Sequence, residues 1–485
     1  MQSYARIILL VIILGVLTIG LIIWWGTPQI LSFSPSKDEP NVSTMVNLTI
    51  TFSRPMQEET VIERLTIKPY NPGSFSWEGN TLVFAPDQPW STNTTVQVQL
   101  DAGSRASSIL SMPIRKSISW VFRIGKPRLA YLYPASEPAD IYLLDSLTGE
   151  SMAITRVPEG VQDFVVNSKG NLIYFSTQDE QIGSSIFRLE LDKVNTEEST
   201  TENGSEQKTK LPVKILECPN ASCRALAISP DEEYMAYERT PYPETEVATF
   251  PQVWIYQLID AENDELPASE FQPFLAGEIT HQTIMPLWSS DGILAFYDVD
   301  SKAFIFSDPR KGELSRFVNQ TGQPGAWHPN GRDFAAPEII FLVTNSSGSD
   351  TQQEPPPESH LLLINWQSGV FQDLTPSEDV EDAVPSFSPN GDYLAFARKF
   401  LDTTHWTLGR QIWLMQIETN DSRPLTNNPL FNHYDFAWSP DSDQLAFVMF
   451  DQSSMIDPPE IWVIDISTGQ STQLVQGGYA PQWIP

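Results

Sequence analysis

The side chains best suited to chemistry near neutral pH are five histidines: His281, His328, His360, His405 and His433. A neutral imidazole is a common ligand for transition metals, and three meeting at one point would hold a metal with open coordination positions. Their spacings along the chain are long and irregular, so any such meeting depends on the fold. Asp298-Val299-Asp300 and Asp441-Ser442-Asp443 are acidic doublets, but no full calcium-loop spacing surrounds either. Doublets of this kind beside turns ordinarily cap the turn or face water. Gly-x-Ser-x-Gly occurs nowhere, no α/β region follows to carry such a nucleophile, and no Gly-rich phosphate loop is present. Cys218 and Cys223 are too few for a metal site, and in an oxidising compartment they would close a small loop as a disulfide. No catalytic residue, cofactor or resident metal is therefore expected.

What positions these groups is a repeat. Phe436-Ala437-Trp438-Ser439-Pro440-Asp441 leads through a tight turn to Leu445-Ala446-Phe447 and then to Ile461-Trp462-Val463-Ile464. Ser386 to Asn390, Ala326 to Asn330, Leu287 to Asp291, Ala227 to Asp231 and Val166 to Lys169 begin further copies, with His328 standing where most copies have Ser. A unit of about 40–60 residues that supplies four short strands is the signature of a β-propeller. Six copies are complete. Leu129-Ala130-Tyr131 reads as a second strand lacking a first, and Gln482-Trp483-Ile484 as a first strand lacking a second. Pairing them yields a seventh blade built from both ends of residues 126–485 and leaves no open strand edge.

Residues 28–125 read differently. Seven or so short strands, among them Leu48-Thr49-Ile50-Thr51-Phe52 and Thr95-Val96-Gln97-Val98-Gln99-Leu100, alternate as half-buried strands do, which is a sandwich pattern. Phe52-Ser53-Arg54-Pro55-Met56, Phe75-Ser76-Trp77, Phe84-Ala85-Pro86 and Trp120-Val121-Phe122 together resemble the bacterial Ig-like domain of S-layer and other surface proteins. The resemblance implies a spacer or adhesion module. The repeats of residues 126–485 resemble the TolB-type (WD40-like) propeller, also met in prolyl oligopeptidase relatives. Some TolB-type propellers are metal-dependent polysaccharide lyases, so the resemblance keeps one enzymatic alternative open.

Strand direction converts the repeat into geometry. All Ser-Pro-Asp turns lie on one face, and the loops between second and third strands lie on the other. The second set is enlarged at residues 239–251, 345–359, 399–409 and 450–459, and loops on a rigid scaffold are where binding usually resides. Tyr242, Phe250, Phe400, Trp406 and Met455 are the large groups in these segments and are the candidate binding residues. His281 and His433 precede inner strands on that face and His405 lies in one of its loops; these three are the alternative metal set. Trp254, Trp288, Trp413, Trp438 and Trp462 occupy repeat positions and read as core. Residues 195–210 and 261–270 read as acidic, solvated rim loops.

Charge limits the partners. With 29 basic against 61 acidic residues the chain carries −32, which repels nucleic acid and anionic lipid alike. Residues 7–25 are nineteen in a row without a charge, long enough to cross a bilayer, with Arg6 ahead and Trp24 and Trp25 at the far end. The whole reads as an all-β extracytoplasmic protein: a transmembrane anchor (1–27), an Ig-like sandwich (28–125) and a seven-bladed propeller (126–485). Its expected role is a non-catalytic binding scaffold for a protein, peptide or glycan at the long-loop face. The alternative is a metal-dependent polysaccharide lyase or hydrolase.

Overall fold

The computed structural model describes residues 27–485, apart from 40, 41, 43, 45, 108–110, 126, 127, 137, 146, 147, 180–182, 192–211, 244–248, 259–269, 272–280, 341–357 and 455. Residues 7–25, Met455 and most of the two acidic insertions thus lie outside the described residues. Among the described residues no helix is long and apolar enough to cross a membrane. The chain is all-β and divides into two compact units, residues 1–126 and 127–485.

In the first unit, Ile30–Ser34, Leu48–Phe52, Thr81–Pro86 and Gly73–Glu78 form one four-stranded sheet in that order across it. Leu65–Lys68, Thr95–Leu100 and Ile118–Arg123 form the second. The alternation read from sequence is the alternation of burial: Val96, Val98 and Leu100 point inward while Thr95 and Gln97 face out. Phe52, Leu82 and Phe84 from one sheet share a core with Val96, Trp120 and Phe122 from the other. Full burial of such a side chain stabilises by about 2 kcal/mol. One helical turn, Glu58–Ile62, plugs this core with Val61.

Among the described residues the second unit holds seven four-stranded antiparallel groups, and in six of them chain order is strand order. Their innermost strands are Tyr479–Ile484, Val161–Val166, Ala221–Ile228, Thr283–Trp288, Ala326–Trp327, Val380–Phe387 and Phe431–Trp438; we number the sheets one to seven in this order. The first sheet draws its innermost strand from the C-terminus, with Trp483 opposite Leu129 and Ile484 opposite Arg128. The fifth and sixth sheets are joined by one parallel bridge, Ser359 to Glu381. Each innermost strand touches the next, and Tyr479–Ile484 touches both Phe431–Trp438 and Val161–Val166, so the order is cyclic.

Three local devices build this unit, and each follows from residue chemistry. First, the turn serine accepts a hydrogen bond from the N–H that starts the second strand, as Ser439 Oγ does from Gln444 at 3.0 Å and Ser388 Oγ from Tyr393 at 3.0 Å. In the turn led by His328 the strand-starting Asp333 N–H is accepted by Asn330 Oδ1 at 3.1 Å, while His328 Nδ1 accepts the Asn330 N–H at 3.1 Å. Second, five innermost strands carry a bulge with a non-glycine residue at positive φ: Ala225, Met285, Val384, Asp435 and Ala480. A left-handed residue inserted in one strand bends it and increases its twist. Third, tryptophans immediately before the turn pin sheet to sheet. Trp288 donates to the Ala227 carbonyl, Trp327 to Leu287, Trp438 to Ser386 and Trp483 to Ala437, all at 3.0–3.1 Å. Of the five tryptophans expected as core, Trp438 is buried and the other four are half-buried. Trp254 and Trp413 lie instead under the guanidinium groups of Arg239 and Arg398.

Candidate functional site

The three histidines of the alternative metal set do not share a site in the described structure. His433 sits within the strand Phe431–Trp438, not ahead of it, with its ring buried. Its Nδ1–H donates to the Arg410 carbonyl at 2.7 Å, which leaves Nε2 unprotonated among buried groups. Burial pulls its pKa down to about 4. His405 is exposed and is held by Asp402, whose carboxylate also accepts the Thr404 and His405 backbone N–H groups. His281 bonds Asp298 through Nδ1 at 2.8 Å. Burial opposes ionisation of Asp298, but the Ser301 hydroxyl and His281 together hold its carboxyl below the usual range.

Instead, His281, Asp298 and Asp300 offer ligand atoms within 4.8 Å of one another. Each acid is also committed locally. Asp298 accepts the Asp300 backbone N–H and the Ser301 hydroxyl, and Asp300 accepts the Gln282 N–H. These bonds tie the hairpin after Leu294–Asp298 to the segment entering the fourth sheet, a loop-anchoring role.

Of the remaining histidines, His328 belongs to the turn described above. His360 is buried, with Nδ1 2.7 Å from Asp373 Oδ2 and Nε2 2.9 Å from the Ser377 carbonyl. A carboxylate and a carbonyl both accept, so this pair of partners favours the doubly protonated ring. The Asp373 carboxylate, against the opposing effect of burial, raises its pKa above the ordinary value.

Cys218 and Cys223 form a buried disulfide that joins the outer strand of the second sheet to the innermost strand of the third. In the sixth sheet, the buried Asp382 carboxylate is gripped by Arg398 through two hydrogen bonds of 2.7 Å.

The five candidate binding residues divide. Phe250 and Trp406 are exposed, at 49% and 54%. Tyr242 and Phe400 are half-buried; Phe400 closes the strand Tyr393–Phe400 and packs on Trp413, so it covers the sheet rather than presenting a surface. Met455 lies outside the described residues, but Ile456 beside it is 91% exposed. Leu430, 50% exposed, was not anticipated, because it falls in a loop between sheets and not within one. Its signal was an apolar residue closing Asn427-Asn428-Pro429-Leu430 in an otherwise polar loop.

The loops bearing Trp406, Leu430 and Ile456 are stitched by main-chain bonds. The Leu408 N–H donates to the Pro429 carbonyl at 2.8 Å, and Gln452 N–H to the Leu430 carbonyl at 3.0 Å. Lys399 lies over the Trp406 ring, 5.4 Å from its centroid. Three exposed apolar side chains thus stand on connected loops of the sixth and seventh sheets. Such a group of exposed apolar side chains is suited to binding.

Residues 26–123 match the bacterial Ig-like domain family. The chain is similar to TolB from Acinetobacter baumannii, at 12% identity and a TM-score of 0.41, over 87% of this chain and 83% of that one. It is similar to the β-propeller domain of the Trilobed protease from Pyrococcus furiosus, at 12% identity and a TM-score of 0.42, over 64% of this chain and 84% of that one. A puromycin-hydrolyzing peptidase of Mycobacterium tuberculosis is similar at 11% identity and a TM-score of 0.47, over 91% of this chain and 57% of that one. No curated protein matches the chain in sequence. The strand pairings, not these likenesses, carry the architecture.

Proposed function

We propose that this protein is a non-catalytic scaffold of the cell envelope, anchored in the membrane by residues 7–25, whose seven sheets are the blades of a closed β-propeller that binds a partner through its long-loop face. The observation that supports it best is the exposure of Phe250, Trp406 and Ile456 on loops carried by sheets whose own apolar residues are buried. The Ig-like unit is read as a spacer. Binding is tested with the full chain in neutral-lipid nanodiscs against arrays of peptides and oligosaccharides. Trp406→Ala combined with Ile456→Ser is expected to abolish the strongest signal without shifting the melting temperature; an unchanged signal removes this face from the reading. Fractionation and protease protection of cells test the anchor, with the protein expected in the membrane fraction and its bulk accessible from outside.

The enzymatic alternative, a metal-dependent polysaccharide lyase or hydrolase, draws on one observation: the grouping of His281 with Asp298 and Asp300. Metal analysis of the purified chain separates the two readings. A stoichiometric transition metal lost in His281→Ala would turn the search toward polysaccharide substrates.

A further inference from the structure

Trp406, Leu430 and Ile456 stand among carboxylates. Asp379 and Glu378 are exposed at one end of the strip, where the Leu401 N–H bonds the Asp379 carbonyl at 2.7 Å. Asp402 lies in the Trp406 loop. Asp451 and the exposed Asp457 lie in the Ile456 loop, and that loop is bound at Gln452 to Leu430. Backbone and hydroxyl donors hold two of these acids ionised: His405 and Thr404 lower the pKa of Asp402, and Ser453 lowers that of Asp451. Against them the strip has few cations. Lys399 is laid on the Trp406 ring, and the Arg410 guanidinium is paired with Glu381.

Resting on the binding-scaffold reading, we propose that the loops of the sixth and seventh sheets dock a cationic, apolar-studded segment of a partner protein. Its apolar side chains would contact Trp406, Leu430 and Ile456, and its Lys or Arg side chains the surrounding carboxylates. Charge complementarity selects this occupant. A second copy of the chain would bring one acidic strip against another in a molecule already at −32, and an acidic segment would meet the same repulsion. A neutral glycan would use the Trp406 ring but leave the carboxylates around it without a role.

The test uses the full chain in neutral-lipid nanodiscs and three labelled twelve-residue peptides that share their apolar residues. The intervening positions are Lys in one, Gln in the second and Glu in the third. Fluorescence anisotropy is expected to show binding in the order Lys, Gln, Glu, weakening as salt rises. Trp406→Ala is expected to weaken the Lys peptide about tenfold, the scale of an interface anchor. Glu378→Gln with Asp457→Asn is expected to flatten the salt dependence while leaving the Gln peptide unchanged. Both sites are accessible, so circular dichroism and melting serve as folding controls. Equal binding of the three peptides, preference for Glu, no binding, or binding insensitive to Trp406→Ala overturns the proposal. If a neutral oligosaccharide binds instead and is lost in Trp406→Ala, the scaffold reading stands and only the cationic partner falls. Salt-insensitive self-association at this face would likewise replace the partner with a second copy.

Discussion

His433 and His360 are both buried, and their neighbours push them in opposite directions. His433 donates one proton to a carbonyl, and burial holds its pKa near 4. The unfolded ring, with a pKa of about 6.5, therefore takes up a proton that the folded ring refuses. Stability from this site should fall as pH drops from about 6.5 toward 4, and His433→Phe should flatten that limb of the urea midpoint against pH. His360 works the other way. Its folded pKa is raised, so its contribution is complete below the unfolded value and is lost as pH rises through the folded one. Protection factors for hydrogen exchange in Glu358–Asn365 and Phe371–Asp373, corrected for the intrinsic rise of exchange with pH, should fall on that rise, and His360→Gln should remove the step. Protection that does not change with pH in the natural chain would show that the imidazolium does not hold these strands.

Among the elements, the strand pair Val380–Phe387 and Tyr393–Phe400 carries the most concentrated electrostatic commitment. Asp382 has no exposure and Arg398 little, and the guanidinium also stacks on Trp413. Burial pushes the Asp382 carboxyl up, and the Arg398 bonds oppose that shift. Removing one partner leaves a buried charge alone. Asp382→Ala is expected to cost about 3–5 kcal/mol in chemical denaturation, whereas Asp382→Leu with Arg398→Met should recover most of it. If the double variant is no better than the single, the pair is needed for more than charge compensation. The tryptophan pins make a milder case. Trp438→Phe keeps the ring in place and removes the donor to the Ser386 carbonyl, at a cost of about 1–2 kcal/mol.

At the scale of the molecule, the cyclic order of the innermost strands of residues 127–485 runs through one segment, Tyr479–Ile484. Tyr479–Ile484 supplies the innermost strand of the first sheet and touches the second and seventh. Trp483 is buried and its indole N–H reaches the Ala437 carbonyl of the seventh sheet at 3.1 Å. Trp483→Ala should cost about 3–5 kcal/mol. Deletion of residues 479–485 should broaden thermal unfolding of this unit, because strands left open at both ends no longer stabilise one another. A sharp, unshifted transition in the deletion would mean that the remaining six sheets cohere without closure.

What the sequence determined by itself is whatever a short-range pattern dictates. Period-two alternation sets the face that Thr95–Leu100 buries. A serine-led turn ends four innermost strands, where the Ser229, Ser289, Ser388 and Ser439 hydroxyls satisfy an N–H at the start of the next strand. The unmatched strands near Leu129 and Trp483 require each other. Tertiary structure alone decided which distant groups meet. It buried His433 inside a strand and gave His281 two aspartates instead of two histidines. It set non-glycine residues at positive φ in five bulges and brought Leu430 up beside the Trp406 loop. None of these has a local signature. Each follows from a register, a bulge or a neighbouring element, and contacts such as His281 with Asp298, 17 residues apart, leave no period in the sequence to read.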